Sequence, residues 1–225
     1  KINVVMGRHA GFLTAASVLA RQHPGDGPHL VYVPEANFDE GRFLDDVARV
    51  YRERGRCLVA VSEGIHDGED VPLASKLSKE IETDAHGNVQ LSGTGALGDL
   101  LAELVRDRLG ARLGEKLRVR ADTFGYLQRC FAGSTSETDA VEARAVGKRA
   151  AELALEGHAN GSVRIRRFSD EPYEIACERV ELTDVAGKTR HLEPEWIVDG
   201  CDISSDFVRY AAPIVGELPW TRHLF

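Results

Sequence analysis

Three clusters of polar residues combine the side chains that bind an anion or a polyhydroxylated molecule. Met6-Gly7-Arg8 stands where a helix is expected to begin, so backbone N–H groups and a guanidinium could meet an anion there. Val33-Pro34-Glu35 places a carboxylate directly after an apolar run, and Arg120 precedes Gly125-Tyr126-Leu127-Gln128-Arg129 at the expected end of another. One carboxylate and several arginines suit a ligand with hydroxyls at one end and a phosphate at the other. Ordinary capping and surface salt bridges would explain the same residues equally well.

A glycine-rich stretch offers a different chemistry. Residues 93–98 match the dinucleotide fingerprint G-x-G-x-x-G and precede an expected helix. Such a loop must follow a buried strand, whereas residues 88–92 follow a turn-like segment and make a poor buried strand. A glycine-rich start of a helix is therefore favoured over a cofactor site.

Histidines and acidic residues give no metal or hydrolase pattern. His9, His66 and His86 are scattered among carboxylates, but no pair has the spacing of metal ligands on one helix face. The Ser62-Glu63-Gly64 turn lacks the nucleophile-elbow pattern of a serine hydrolase. We therefore expect no metal site formed by this chain.

The elements that must position these clusters alternate between helices and apolar strands. Helices are predicted over residues 6–21, 39–54, 97–109 and 138–157, and strands over residues 29–33, 56–62 and 116–121. Strands without polar alternation, separated by helices, predict an α/β fold: a three-layer parallel sheet with helices on both faces. Beyond Gly157, two alternating segments predict a hairpin, and a short helix follows towards residue 215.

Composition limits the kind of partner. The chain has 28 basic and 36 acidic residues and a net charge of −8, which argues against binding to nucleic acid or to an anionic membrane surface. No apolar run approaches the roughly 20 residues that cross a bilayer. The four cysteines have no paired spacing, and Cys57 and Cys177 are expected to be buried free thiols, which favours a cytoplasmic location.

Four motifs follow one another in the order and rough spacing found in phosphofructokinases. They are VMGRHAG at 5–11, VPE at 33–35, VSEG at 61–64 and GYLQR at 125–129. The chain resembles this family from Met6 to about Gly157, and more weakly beyond. The resemblance implies a fructose 6-phosphate-binding α/β domain over residues 1–130. It also implies a C-terminal segment over residues 131–225, with a small hairpin and helix, that packs against a donor-binding domain.

The resemblance also implies roles for single residues. It assigns fructose 6-phosphate binding to Met6, Gly7 and Arg8, sugar-hydroxyl binding to Glu35, and 6-phosphate binding to Tyr126 and Arg129. Arg120 would reach the substrate phosphate of a neighbouring subunit, which implies a homo-oligomer, either a dimer or a tetramer. Arg8 could also face the transferring phosphoryl group and stabilise the transition state. No other catalytic residue is expected in this chain.

The phosphoryl donor is inferred from two further similarities. Tyr126 stands where ATP-dependent relatives usually carry His, and the long segment from Asp67 to Gly114 is similar to the pyrophosphate-dependent branch. The Gly-Gly-Asp donor loop and the Thr-Ile-Asp-Asn-Asp segment of the family occur nowhere in the chain. We therefore expect the sugar-phosphate part of a longer pyrophosphate-dependent enzyme, inactive alone, with Mg²⁺ bound together with the donor mainly by the other half. An ATP-dependent phosphofructokinase and a non-catalytic sugar-phosphate-binding or regulatory module remain the alternatives.

Overall fold

The computed structural model describes residues 1–68, 71–74, 95–158 and 160–220. It divides into two compact units. The first comprises Lys1–Phe131 and His191–Ser205, and the second comprises Ala132–Arg190 and Asp206–Phe225.

The first unit is built on a parallel four-stranded sheet. Its strands are β1 (Ile2–Val5), β2 (Leu30–Tyr32), β3 (Val59–Ser62) and β4 (Ala121–Thr123), in the order β2-β3-β1-β4. Every residue of β2 and β3 is buried, as expected for a sheet covered on both faces. The predicted parallel α/β class is confirmed.

Helices connect these strands and cover the sheet. Helix α1 (Phe12–Ala16) continues into a 3-10 turn, Ser17–Ala20, and contacts β2 and β3. Helix α2 (Glu40–Arg54) begins after Asp39, whose carboxylate accepts the N–H of Arg42, and ends at the left-handed Gly55. This is the predicted helix, with the caps that its sequence contains. Helix α3 (Ala96–Leu104) packs against β1 and β4. It runs through a π-helical turn, Val105–Leu109, into α4 (Gly110–Leu113).

One large apolar cluster lies between the sheet and the second and third of these helices. It contains Ile2, Val4, Leu30, Val59 and Val61 from the strands, Phe43 and Val47 from α2, and Leu101 and Leu109 from the α3 region. Alternate strand residues, including Val5, Val31 and Ala60, are buried outside this cluster because successive side chains point to opposite faces.

The first helix and the strand β4 begin later than predicted, and the sequence did not predict strand β1. The first helix begins at Phe12 rather than Met6, because Met6 follows directly from β1 into a loop in which Gly7 has a φ of 153°. Strand β4 begins at Ala121, so the run at residues 116–121 mostly precedes it. Leu117 and Val119 of that run pack on the apolar cluster without joining the ladder.

The segment His191–Ser205, here called the strap, also belongs to the first unit. It contains a 3-10 turn (Pro194–Trp196) and a small antiparallel pair, β7 (Ile197–Val198) and β8 (Asp202–Ile203). The N–H of Val31 in β2 donates to the carbonyl oxygen of Cys201 at 2.8 Å. The strap therefore runs along the outer side of β2, the last strand of the sheet.

The second unit combines a long helix with the predicted hairpin. Helix α6 (Glu137–Leu155) follows α5 (Leu127–Cys130) along the chain, and strands β5 (Ser162–Asp170) and β6 (Tyr173–Val180) pair antiparallel. Helices α7 (Leu182–Val185) and α8 (Ser205–Val215) follow. The Arg167 guanidinium lies 4.7 Å from the ring centroid of Tyr173, whose hydroxyl donates to Glu142 at 2.6 Å. Burial, together with that hydrogen bond, raises the pKa of Tyr173 to about 12.

Two further expectations concern thiols and membranes. Cys57 and Cys177 are free thiols as expected, but each is only half-buried. Within the described ranges, no helix combines the length and the apolar character that crossing a membrane requires.

Candidate functional site

The residues that follow the four strands form one row, because parallel strands all end on the same side of a sheet. Across the sheet, Glu35 follows β2, Glu63 follows β3, Met6-Gly7-Arg8 follows β1 and Tyr126 follows β4. The connection from β1 to β2 passes β3, whereas the connection from β3 to β4 passes β1. The connections that leave β1 and β3 therefore run to opposite sides of the sheet. Open α/β sheets bind their ligands at the reversal point between two such strands. Gly7 and Glu63 lie at that point.

The loop after β1 is held by the residues that follow β3. The N–H of Gly7 donates to Glu63 Oε1 at 3.3 Å, and the Ser62 hydroxyl donates to the Gly7 carbonyl oxygen. A Cβ at Gly64 would lie 1.9 Å from the carbonyl oxygen of Arg8, so only glycine fits there. The backbone that carries Arg8 is thus pressed against the end of β3.

Glu63 is a buried carboxylate at this reversal point, with 5% of its surface exposed. VSEG is one of the four family motifs, but the resemblance assigns no role to its glutamate. The signal was available, since Glu63 comes directly after a fully apolar strand and a polar residue there faces the ligand side. Because Glu63 touches the Gly7 backbone, it belongs to the candidate site.

The Glu35 carboxylate accepts hydrogen bonds from backbone N–H groups. Its Oε1 and Oε2 accept the Gly11 N–H at 3.0 and 3.2 Å, and Oε1 accepts the Leu192 N–H at 2.9 Å. The side chain is 8% exposed, and His191 Nδ1 lies 4.0 Å from Oε1. A role for Glu35 towards sugar hydroxyls stays a prediction that these contacts do not test.

Tyr126 and Arg129 follow β4 as a pair. The Phe124 N–H donates to Val4 O at 3.0 Å, which extends the β1–β4 ladder, and the left-handed Gly125 then turns the chain. One short turn of helix, α5, brings the Arg129 guanidinium 5.7 Å from the Tyr126 ring centroid. Tyr126 is 58% exposed and Arg129 is also exposed. The pair presents a cation and a phenol to the solvent on the ligand side of the sheet.

Arg120 lies at the other end of β4. Its carbonyl oxygen accepts the N–H of Ile2 at 2.9 Å, so it precedes the strand instead of following it. The prediction that Arg120 lies at the end of a strand over residues 116–121 is wrong, because the hydrogen-bonded strand begins only at Ala121. Within one chain, Arg120 is therefore separated from Tyr126 by the length of β4. Its role in a neighbouring subunit stays a prediction.

The remaining candidates add no second site in the described part of the chain. His9 is exposed, and His66 Nδ1 lies 2.7 Å from the Asp67 carbonyl oxygen. His86 and the first two residues of the glycine-rich stretch lie outside the described residues. Gly95 precedes α3 in a left-handed conformation, and a Cβ at Gly98 would lie 3.0 Å from Ala121 Cβ. The described part of the stretch thus starts a helix that packs closely on the sheet, as predicted.

Metal ligands do not converge in the described residues. No group of three or more His, Cys, Asp and Glu side chains could hold an ion there. A magnesium ion would therefore be held chiefly by phosphate oxygens, by water or by residues outside the described ranges.

A large cavity opens at the amino ends of the strands, away from the polar row. It has a volume of about 650 Å³ and is lined chiefly by apolar side chains, including Ile2, Val59, Leu109 and Val119. None of these four residues stands out in the sequence by its chemistry. The cavity does not contain the residues whose chemistry suggests a phosphate site.

Comparison with protein families gives one match over most of the chain. A family model described as phosphofructokinase matches residues 2–154. Among curated proteins, pyrophosphate–fructose 6-phosphate 1-phosphotransferase of Rhodospirillum rubrum is 52% identical over 96% of this chain and 52% of its own length. The protein of the same name from Halomonas elongata is 38% identical over 94% of this chain and 48% of its own length.

A solved structure supports the same fold. The pyrophosphate-dependent phosphofructokinase of Marinobacter aquaeolei is 29% identical, with a TM-score of 0.74 over 99% of this chain and 49% of its own. The chain thus spans about half the length of the relatives that it matches.

Proposed function

The chain belongs to the phosphofructokinase family, and on that premise we propose that it supplies the fructose 6-phosphate site of a pyrophosphate-dependent phosphofructokinase. One observation carries the proposal. Arg8, Glu63 and the Tyr126–Arg129 pair follow three neighbouring strands on one side of the sheet, around the point where the chain direction reverses. Two cations and a buried carboxylate match a substrate with a phosphate and several hydroxyls.

Each group has a part in binding. Arg129 and Tyr126 hold the 6-phosphate, since an exposed guanidinium offers a planar set of donors to phosphate oxygens. Glu35 accepts a sugar hydroxyl, because a carboxylate offers about four acceptor positions, and Glu63 holds the Gly7 backbone. Met6 and Gly7 line the sugar, and the loop places Arg8 beside the 1-hydroxyl. Bound in this way, the 1-hydroxyl oxygen is held ready for in-line attack.

The reaction transfers one phosphoryl group. The 1-hydroxyl oxygen bonds to a phosphorus of pyrophosphate, the bridging P–O bond breaks, and inorganic phosphate leaves. Arg8 stabilises the charge that develops on the phosphoryl oxygens. The base that accepts the hydroxyl proton, and the groups that hold pyrophosphate, belong to the part of the relatives' length that this chain does not span.

Further parts of the proposal concern what surrounds the site. Mg²⁺, which would be held mainly by the part of the enzyme that this chain does not span, would supply neutralisation of the pyrophosphate charge. Residues 1–130 form the sugar-phosphate domain, and residues 131–225 pack against the donor-binding domain. The complete enzyme is a cytoplasmic homo-oligomer, a dimer or a tetramer, in which Arg120 serves a neighbouring site.

The donor is the sharpest test. With the complete protein, kcat/KM for fructose 6-phosphate phosphorylation is measured with magnesium and either pyrophosphate or ATP. We expect turnover with pyrophosphate in the usual enzyme range of about 1 to 10³ per second, and far less with ATP. A preference for ATP would overturn the donor assignment. Binding of fructose 6-phosphate without turnover with either donor would favour a non-catalytic sugar-phosphate module instead.

A further inference from the structure

We propose that Ser62 is a positioning residue, whose buried hydroxyl sets the Gly7–Arg8 peptide and thereby aims the Arg8 guanidinium. The inference rests on the proposed function, because the orientation of Arg8 matters only if Arg8 meets the transferring phosphoryl group. The family resemblance assigns no role to Ser62, and none of the proposed substrate contacts involves it.

Ser62 is itself held firmly in the middle of the sheet. It is the last residue of β3, which pairs with β1 on one side and with β2 on the other, and it lies opposite Val5 in the ladder. Its carbonyl oxygen accepts the N–H of Ile65 at 3.3 Å, and Ile65 is fully buried in the apolar cluster. The Ser62 hydroxyl is therefore carried by a backbone that is fixed on both sides.

The Ser62 hydroxyl donates its proton to the loop that follows β1. Ser62 is 0% exposed, and its O–H donates to the carbonyl oxygen of Gly7. Because a hydroxyl has a single proton to donate, this bond uses it. A side chain without exposed surface also offers a ligand nothing to touch. Any effect of Ser62 on the reaction must therefore pass through Gly7.

Gly7 is held at both of its backbone polar groups. Its N–H donates to Glu63 Oε1 at 3.3 Å, while its carbonyl oxygen accepts the Ser62 hydroxyl. Its φ of 153° favours glycine, and a Cβ there would lie 2.8 Å from the Ala10 carbonyl oxygen and 3.0 Å from Ser62 Oγ. The loop therefore passes Ser62 at a distance that leaves no space for another side chain.

The hydrogen bond from Ser62 fixes the peptide that leads into Arg8. Because a peptide unit is planar, holding the Gly7 carbonyl group also fixes the direction in which the chain enters Arg8. On the other side of Arg8, a Cβ at Gly64 would lie 1.9 Å from the Arg8 carbonyl oxygen. Ser62, Glu63 and Gly64 thus hold the backbone before and after the Arg8 side chain. A guanidinium on such a backbone needs little reorganisation to meet a developing charge.

The first test compares variants of one hydroxyl in the complete protein. Ser62→Ala should lower kcat for fructose 6-phosphate phosphorylation about tenfold to a hundredfold, since a small misplacement of a catalytic group has effects of this size. KM should change less than kcat, and Ser62→Thr, which keeps the hydroxyl, should recover most of the loss. Thr14→Val is the matched control, because Thr14 is also 0% exposed and its hydroxyl has no partner among the described residues. A kcat in Ser62→Ala within about twofold of that in Thr14→Val overturns the proposal.

The second test is a double-mutant cycle with Arg8. If Ser62 acts through Arg8, Ser62→Ala should lower kcat only slightly in a protein that already carries Arg8→Ala, so the two losses are not additive in free energy. A merely structural effect would not give this coupling, because lowered stability costs the same in both backgrounds. Losses that multiply would show that Ser62 affects the reaction by another route, and they would overturn the proposal.

A third measurement needs no activity and separates two kinds of failure. Amide hydrogen exchange in a peptide that covers residues 6–11 should be faster in Ser62→Ala than in Thr14→Val. If Ser62→Ala does not fold, Ser62→Cys replaces it, because a thiol is a weaker donor than a hydroxyl; an unchanged kcat in that variant overturns the proposal.

The outcomes then differ for the two claims. If the unaltered protein does not phosphorylate fructose 6-phosphate, the proposed function fails, and faster exchange in Ser62→Ala would leave Ser62 as a purely structural tie. If the unaltered protein is active, but the Ser62 variants match the control in kcat and in exchange, only the positioning role of Ser62 fails.

Discussion

The two ends of the four-stranded sheet differ in what they offer a ligand. At the carboxyl ends, glycines and two buried or half-buried carboxylates hold a polar loop tightly, and exposed Arg129 and Tyr126 stand beside it. At the amino ends, a cavity of about 650 Å³ is lined chiefly by apolar side chains. The volume of the cavity favours the amino ends as a binding site, whereas the charged and polar side chains favour the carboxyl ends.

The difference shows that the large cavity and the candidate phosphate-binding site lie at opposite ends of the sheet. Phosphate recognition needs converging donors on a fixed backbone, and the tightly packed glycines provide the fixed backbone. The cavity at the amino ends is lined chiefly by apolar side chains, although Lys1, Arg56 and Arg118 also line it. With the exception of Arg120, changes at the amino ends are expected to alter stability without altering substrate affinity, and changes at the carboxyl ends are expected to do the reverse.

The largest expected effect comes from Leu109, which is fully buried and lines the cavity. Leu109→Ala should lower the free energy of unfolding by about 2–5 kcal/mol, because it removes apolar contacts and enlarges a void. Urea unfolding measures this, and fructose 6-phosphate affinity well below the melting temperature should stay within about twofold. Leu13→Ala, the same change at a side chain that is 47% exposed, is the control. A loss of affinity as large as the loss of stability would place substrate at the amino ends.

Arg129 tests the carboxyl ends. Arg129→Ala should weaken fructose 6-phosphate binding about tenfold to a hundredfold, since a hydrogen bond to a charged group contributes about 1.5–3 kcal/mol. Stability should barely change, because the side chain is exposed. Titration with fructose 6-phosphate and with fructose separates the phosphate contact from the sugar contacts. A phosphate-independent loss, or affinity within twofold of the unaltered protein, would mean that Arg129 does not bind the 6-phosphate.

Arg120 sharpens the same comparison, because it lies at the amino end of β4. Arg120→Ala should show a phosphate-specific loss only if the residue serves a neighbouring subunit. Mixing Arg120→Ala subunits with Arg129→Ala subunits should then restore some activity, since one interface keeps both arginines. Mixtures no more active than the average of the two variants would remove Arg120 from the site.

The smallest expected effect comes from His29 at the amino ends. Its Nδ1 accepts the Leu58 N–H at 2.8 Å, and its Nε2 lies 3.2 Å from the Gly25 carbonyl oxygen. Burial, with the nearby positive charges of Arg54 and Arg56, lowers the pKa of His29. The neutral ring is thus favoured in the folded protein, and protonation would break the bond from Leu58.

The sign of the pH dependence follows. A lowered folded-state pKa gives stability that is present above the unfolded histidine pKa of about 6.5 and is lost as the pH falls below it. The urea concentration at the unfolding midpoint should therefore decrease as the pH is lowered from about 7.5 to about 5.5. The decrease should be smaller in His29→Asn, which keeps an acceptor for the Leu58 N–H. His9→Asn, at an exposed histidine, controls for the substitution. Equal slopes in all three proteins would contradict this role of His29.

Sequence predicted the elements whose local signals agree with their surroundings. Helix α2 has its amphipathic pattern, Asp39 at the start and Gly55 at the end, so each signal indicated the same boundaries. Strands β2 and β3 were found as apolar runs. In contrast, β4 has the sequence Ala-Asp-Thr and is a strand because it pairs with β1, which no local pattern reveals. The more apolar run before it packs on the core instead.

The candidate site divides in the same way. Arg8, Tyr126 and Arg129 stand out by type and motif, and the fold places their segments at the same ends of the sheet. The environments of Glu35 and Glu63 depend on backbone N–H groups far away in the sequence, at Leu192 and Gly7. Two glutamates with similar local contexts therefore acquire different surroundings only through the tertiary fold.

The backbone hydrogen bond between Val31 and Cys201 has a consequence for folding during synthesis. Strand β2 ends the sheet, and an uncovered outer strand invites pairing with other chains. Its cover, the strap, is synthesised long after β2 has left the ribosome. During that interval the outer edge of β2 is uncovered, so translation that stops before residue 191 should favour aggregation.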